Sequence, residues 1–155
     1  MQKILMVCLG NICRSPLAEG ILREKTNRLG IAVQIDSAGT SNYHIGDHPD
    51  KRTIANAKKN DIDISSLKAR QFAVTDFDVF DMIFVMDTSN YTNVIALARN
   101  EADKNKVELI LNRLHPSSNM PVPDPYFGGE QGFQEVFELL DKACDAIINS
   151  LNSAK

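Results

Sequence analysis

Residues 3 to 8, Lys-Ile-Leu-Met-Val-Cys, make an almost unbroken apolar run with the length of a strand buried on both faces. The period then changes. Leu17, Ala18, Ile21, Leu22 and Leu29 recur at helical spacing, Pro16 stands where a first helical residue belongs, and Gly30 supplies a stop. A second strand is predicted over 31–37, then a loop holding Gly39, Gly46 and Pro49, then a helix over 50–60. Met82 to Met86, bounded by Asp81 and Asp87, reads as a third strand, 88–100 as a helix and 107–111 as a fourth strand. Residues 115–129 form a long loop rich in proline and glycine, and a loop of that length in a compact domain is commonly functional. The segment 132–151 closes the chain as an amphipathic helix, with Phe133, Val136, Phe137, Leu140, Cys144, Ile147 and Leu151 on one stripe.

Strands that alternate with helices predict an α/β fold. Right-handed crossovers make the four-stranded sheet mostly parallel and cover it on both faces, a three-layer sandwich in one domain spanning 1–155. Ligands bind such sheets beyond the carboxyl ends of the strands, so the loop after the first strand is the first place to look for chemistry.

Composition narrows the partners. A formal net charge of −3 gives neither nucleic acid nor an anionic membrane an obvious footing. No apolar stretch has the length of a membrane span, and the apolar start is too short for a signal peptide. Three cysteines in an ordinary domain fit reduced thiols better than a disulfide framework, so a cytoplasmic location is expected, with a monomer favoured.

The loop after the first strand is Cys8-Leu9-Gly10-Asn11-Ile12-Cys13-Arg14-Ser15. An isolated cysteine ending a strand would be an ordinary small core residue. This one stands six positions before an arginine, in a loop that feeds a helix N-terminus. Converging backbone N–H groups, the positive end of a helix dipole and a guanidinium fork are what a thiolate needs beside a phosphoryl group. Gly10 frees the backbone for the turn, and Asn11 is one of the few other residues that tolerates a left-handed conformation. Ser15 either caps the helix or hydrogen-bonds the thiolate. The Gly-Lys-Ser/Thr ending of a nucleotide loop is absent. His44 and His48 have the spacing of a helical zinc pair, but Gly46 and Pro49 argue against a helix there, and neither a metal nor another cofactor is expected.

The run Val7-Cys8-Leu9-Gly10-Asn11-Ile12-Cys13-Arg14-Ser15-Pro16-Leu17-Ala18-Glu19-Gly20 closely resembles the signature of the low molecular weight protein tyrosine phosphatases. Asp36-Ser37-Ala38-Gly39-Thr40, Lys68-Ala69-Arg70-Gln71 and Asp124-Pro125-Tyr126 follow in that family's order. The resemblance spans essentially the whole chain and implies a flavodoxin-like sandwich of the phosphotyrosine phosphatase I type. It implies hydrolysis of protein phosphotyrosine and small aryl phosphates through a phosphocysteine. Cys8 would be the nucleophile, Arg14 with the amides of Leu9, Gly10, Asn11, Ile12, Cys13 and Ser15 the phosphate holder, and Asp124 the general acid and then base. Phosphate and other oxyanions would occupy the same loop.

Ser37, in the resemblance, supports the Asn11 side chain. The chain departs from the family at Leu67, where relatives often carry a histidine that helps fix the asparagine, so the loop is expected to be held differently or less tightly. Tyr43, Tyr126 and Phe127 would line a slot for an aromatic ring, although apolar residues there also suit a core. Cys13 would either be a structural thiol or pair reversibly with Cys8, while Cys144 falls on the stripe of the last helix.

Three other activities compete. Arsenate reductases of this scaffold need further redox cysteines, and none stands between Cys13 and Cys144. Protein arginine phosphatases are nearer, and related enzymes often have threonine where this chain has Ile12, which favours an aryl phosphate. A non-catalytic phosphopeptide-binding module would need neither Cys8 nor Asp124.

Overall fold

The structure is a computed structural model that describes residues 1–125 and 129–153. Its elements run β1 (Gln2–Cys8), α1 (Arg14–Leu29), β2 (Val33–Gly39), α2 (Lys51–Lys59), α3 (Asp76–Val79), β3 (Met82–Val85), α4 (Thr88–Ile95), α5 (Glu101–Asn105), β4 (Val107–Leu109) and α6 (Gly129–Ser153), with a 3-10 turn at Ile110–Arg113. The four strands lie in the order β2-β1-β3-β4, every pair parallel.

Alternation along a strand sends successive side chains to opposite faces. In β1, Ile4, Met6 and Cys8 face one core with Phe84, where α1 and α6 contribute Leu17, Ile21, Leu22, Leu140, Cys144 and Ile147. Leu5 and Val7 face the other, with Ile83, Val85, Phe77 and Val94. Both faces are covered, which is why the run at 3 to 8 shows no polar alternation. The same alternation delivers Cys8 to the α1 side at the carboxyl end of β1.

The chain leaves β1 toward β2 on one side and returns to β3 on the other, so the loops after β1 and β3 diverge and open a crevice between them. Among the described residues, no helix is long and apolar enough to cross a membrane.

Several predicted boundaries move, each for a local reason. Helix α1 starts at Arg14, with Pro16 its third residue, because a proline anywhere in the first turn removes only an N–H that has no helical partner. Leu29, expected on the buried face, is exposed at the end of the helix. Gly30 takes a left-handed φ of 67°, and Ile31 N–H turns back to the Thr26 carbonyl. That cap holds Ile31 to the helix, so β2 begins at Val33 opposite Gln2, not at 31, and runs on through Gly39. The helix expected over 88–100 ends at Ile95; Asn100 then caps a separate short helix by accepting from Asp103 N–H at 2.9 Å. Strand β4 stops at Leu109, and helix α3 carried no usable signal because four residues are too few for a periodicity. The closing helix begins at Gly129, three residues before the predicted start.

Gly39 shows how tightly the first loop sits on β2. A Cβ added there would lie 2.7 Å from the Leu9 carbonyl oxygen and 3.1 Å from the Asn11 nitrogen, and neither backbone atom can swing away. Gly39→Ala is therefore expected to cost about 1–3 kcal/mol of stability, measured by urea denaturation. An unchanged midpoint would mean that the loop does not press on the strand.

Candidate active site

The turn from β1 into α1 begins with carbonyl groups bonded outward. Thr40 N–H donates to the Cys8 carbonyl at 2.9 Å, Ser41 N–H to Leu9 at 3.0 Å and Asp50 N–H to Ile12 at 2.8 Å. In a planar trans peptide the N–H points opposite the carbonyl, so the N–H groups of Leu9, Gly10 and Cys13 face away from those partners. A concave ring of donors results, closed by the N-terminus of α1.

Asn11 holds this shape. Its φ is 57°, in the left-handed region that the sequence expectation gave it. The side chain is buried and its amide is bonded on both ends: Nδ2 donates to Ser15 Oγ at 2.7 Å and to Ser37 Oγ at 2.9 Å, while Oδ1 accepts Arg70 N–H at 3.0 Å. A backbone N–H can only donate, so it fixes which end of the amide faces which way. Leu67 makes no bond to Asn11, and the Asn11 amide is nonetheless bonded at both ends, its Oδ1 by the main chain three residues on. Leu67 itself packs on the core, and its carbonyl lies 2.9 Å from His48 Nδ1.

Ser15 sits inside α1, and the N-cap position belongs to Cys13, which makes no side-chain cap. Of the two roles open for Ser15, capping is therefore excluded. Its Oγ lies 3.0 Å from Cys8 Sγ. Because Ser15 Oγ already accepts from Asn11, its own proton is available for the sulfur, the Ala38 carbonyl at 3.4 Å being the more distant alternative.

Arg14 is buried, and Nη1 donates to Asp87 Oδ2 and to the Val122 carbonyl, each at 2.9 Å. Among the described residues no bond occupies its Nε or Nη2. Asp87 ends the segment after β3 and caps α4 through its other oxygen, so the crevice between β1 and β3 is bridged by an ion pair. Val122 N–H in turn donates to the Met86 carbonyl at 2.8 Å, which ties the long loop to the end of β3. Two residues on, Asp124 lines the same cavity of about 220 Å³ as Cys8, Arg14 and the loop. Tyr43 lines it too; Tyr126 and Phe127 lie outside the described residues.

Four residues of the site escaped sequence reading. Glu19, one helical turn after Ser15, is buried and accepts from Ser37 Oγ and from Arg23. Burial lifts its carboxyl above the ordinary range, against the opposing pull of the Ser37 and Arg23 bonds. Its sequence signals are its place in the signature run and a spacing of four from Ser15 on one helix face, neither of which gives it a role. The sequence marks Asp87 only as a strand boundary and Arg70 only as part of a motif. His44, weighed only as a metal ligand, lines the cavity with Nδ1 3.2 Å from Asp47.

The other thiols differ in setting. Burial pushes the Cys13 thiol up to about 12, and burial likewise raises Cys144, which sits wholly inside the core.

Comparison with known proteins agrees with this architecture. The family model for low molecular weight phosphotyrosine protein phosphatase matches residues 3–155. A low molecular weight phosphotyrosine protein phosphatase of Schizosaccharomyces pombe is 41% identical over 143 residues, covering 90% of each chain. The crystal structure of a protein tyrosine phosphatase from Entamoeba histolytica, with Hepes in its active site, superposes with a TM-score of 0.92 at 35% identity, covering 99% of both chains. Vibrio vulnificus Wzb in complex with benzylphosphonate superposes with a TM-score of 0.85 at 27% identity, covering 96% of this chain and 98% of that one. With its sequence matched end to end and its sheet order and first loop in place, the chain belongs to the low molecular weight phosphotyrosine protein phosphatase family.

Proposed function

We propose that this protein hydrolyses phosphotyrosine in proteins, and small aryl phosphates, through a phosphocysteine formed on Cys8. The observation that carries the reading is one cavity in which Cys8 and the buried Arg14 of the first loop meet Asp124 from a distant loop. The benzylphosphonate bound by Vibrio vulnificus Wzb, an aryl group on a phosphoryl-like head, supports the substrate class.

Each residue has a definite task in the reaction. The Cys8 thiolate attacks phosphorus in line and forms the S–P bond as the P–O bond to the ring breaks. The Ser15 hydroxyl stabilises the thiolate by donating to it, and again steadies the sulfur as it leaves. Arg14 and the inward N–H groups hold the equatorial oxygens, where charge spreads in the transition state. Arg14 arrives already pinned by Asp87 and Val122, so little freedom is lost when the phosphoryl group binds. Asp124 gives its proton to the departing phenolate oxygen. Its carboxylate then takes a proton from water as that water attacks phosphorus, the S–P bond breaks, and inorganic phosphate leaves with the thiolate restored.

A cavity of this size takes a phosphoryl group and one ring, with Leu9, Ile12 and Tyr43 beside it. Phosphotyrosine places its phosphorus at the end of a planar stem, whereas the short arm of phosphoserine would bring the peptide backbone down onto the rim. The fold and the reducing environment expected for three free thiols fit action on cytoplasmic phosphoproteins.

Two variants test the mechanism. Cys8→Ser should abolish turnover of p-nitrophenyl phosphate and phosphotyrosine peptides while leaving the fold intact by circular dichroism; undiminished hydrolysis would refute the nucleophile. Asp124→Asn should lower kcat by about 100-fold or more with phosphate inhibition unchanged, and loss of phosphate binding instead would mean that Asp124 belongs to the anion site. Matched phosphotyrosine, phosphoarginine and phosphoserine peptides should be cleaved with phosphotyrosine first. Turnover confined to phosphoarginine would overturn the substrate assignment and leave the fold untouched.

A further inference from the structure

His44 brings to the catalytic cavity an imidazole that the reaction leaves without a task. It lines the cavity together with Cys8, Gly10, Arg14 and Asp124. A Cβ added to Gly10 would meet His44 Cδ2 at 3.0 Å and Nε2 at 3.8 Å, so the ring edge that carries Nε2 is turned to the phosphate loop. The other ring nitrogen, Nδ1, lies 3.2 Å from Asp47 Oδ2. A carboxylate only accepts, so Nδ1 carries the hydrogen, and in the neutral ring Nε2 is left with a lone pair. A second proton turns Nε2 into a donor and the ring into a cation. Among the described residues no hydrogen bond occupies Nε2.

The backbone fixes the pair in place. Asp47 N–H donates to the His44 carbonyl at 2.8 Å, and Gly46 takes a φ of 87°, which makes 44–47 a β-turn with its left-handed position at the glycine. Gly46 N–H donates to the Ala69 carbonyl and Ala69 N–H to the Asp47 carbonyl, both at 2.8 Å. The His44 side chain is 40% exposed, so it exchanges protons with water without any opening of the fold. The charges that face it pull both ways. Asp47 on its own turn, Asp124 from the long loop and a Cys8 thiolate favour the extra proton, while Arg14 from α1 opposes it. An anion seated among the loop amides adds negative charge beside Nε2 and tips that balance toward the imidazolium.

We propose that His44 is a proton-dependent contact of the bound phosphoryl group, lending the anion a second positive charge after Arg14 when it is imidazolium and none when it is neutral. Asp47 keeps the ring in the tautomer that sends the added N–H toward the loop. Affinity for phosphate esters and for the phosphate product therefore rises as pH falls through the range where histidine titrates, and is lost as pH rises through it. The coupling is reciprocal: an anion in the loop makes His44 hold its proton to higher pH by the same factor. The inference rests on the phosphatase reading above and adds to that site a group whose charge changes near neutral pH.

Sulfate is the probe, because it has the shape of phosphate and keeps the same charge across the histidine range, so that only the enzyme titrates. Its competitive inhibition of p-nitrophenyl phosphate hydrolysis is measured between about pH 5.5 and 8 for wild type and His44→Gln at constant ionic strength. Over that range wild type should gain about tenfold more sulfate affinity on acidification than the variant; the titrations of Cys8 and Asp124 are common to both enzymes and cancel in the ratio. Parallel profiles overturn the proposal. A second measurement needs only wild type: the His44 ring signals, followed by NMR, should titrate about one pH unit higher in saturating sulfate than in chloride of the same ionic strength. An unmoved midpoint overturns the proposal even where His44→Gln fails to fold. Absence of turnover, or of sulfate inhibition at every pH, would instead refute the phosphatase reading itself, a different outcome from inhibition that ignores the histidine.

Discussion

One side-chain amide sets the geometry on which the site depends. Asn11 occupies a left-handed backbone conformation and commits both amide protons and its carbonyl oxygen to three neighbours, Ser15, Ser37 and the Arg70 main chain. The direction of each bond follows from the one that cannot be reversed. Arg70 N–H must donate, so Oδ1 must face it and Nδ2 must face the serines; Ser15 must then accept, and its proton is left for Cys8. A buried amide with an unpaired end would cost about 1–3 kcal/mol. The same network that satisfies Asn11 therefore also fixes the loop and the hydroxyl beside the sulfur.

The surroundings of Asn11 are braced in turn. Ser37 gives its hydroxyl proton to the buried Glu19, which Arg23 also pairs, and the Arg70 side chain is held by Asp36 and Asp76. Arg14 presents the complementary problem, a buried cation. An unpaired buried charge would be prohibitive, and Asp87 with the Val122 carbonyl answers it while leaving the rest of the guanidinium toward the cavity mouth unclaimed among the described residues. Because Val122 is itself tied to β3, the arginine of the first loop and the loop carrying Asp124 are parts of one bonded assembly. The parallel sheet supplies the frame by ending β1 and β3 side by side at the crevice.

Periodicity was enough to read β1, the closing helix and the alternation that makes the sheet parallel, since these depend on residues close in sequence. The left-handed Asn11 and the stop at Gly30 were also legible, each from a residue type with few conformational alternatives. What escaped reading depended on distant partners. Ser15 looks as much like a cap as a ligand of the sulfur when Pro16 opens the helix, but the helix starts two residues earlier, at Arg14. Leu67 signalled a missing side-chain bond, and no sequence pattern reveals that the Arg70 backbone bonds Asn11, because main-chain donors are the same at every position. Helix α5 needed the Asn100 cap to be weighed against continued helical spacing. Asp124 stood out only by resemblance; the loop that carries it is tied down at Val122 by the Met86 carbonyl and by Arg14, partners far away in sequence.

The fate of the phosphoryl group during turnover separates a Cys8 nucleophile from every alternative. Rapid quenching of the enzyme during turnover of an aryl phosphate, followed by peptide mass spectrometry, should find a phosphoryl group on Cys8 and on no other residue. A phosphoryl group on Cys13 or His44, or steady turnover with none on the protein, would contradict it.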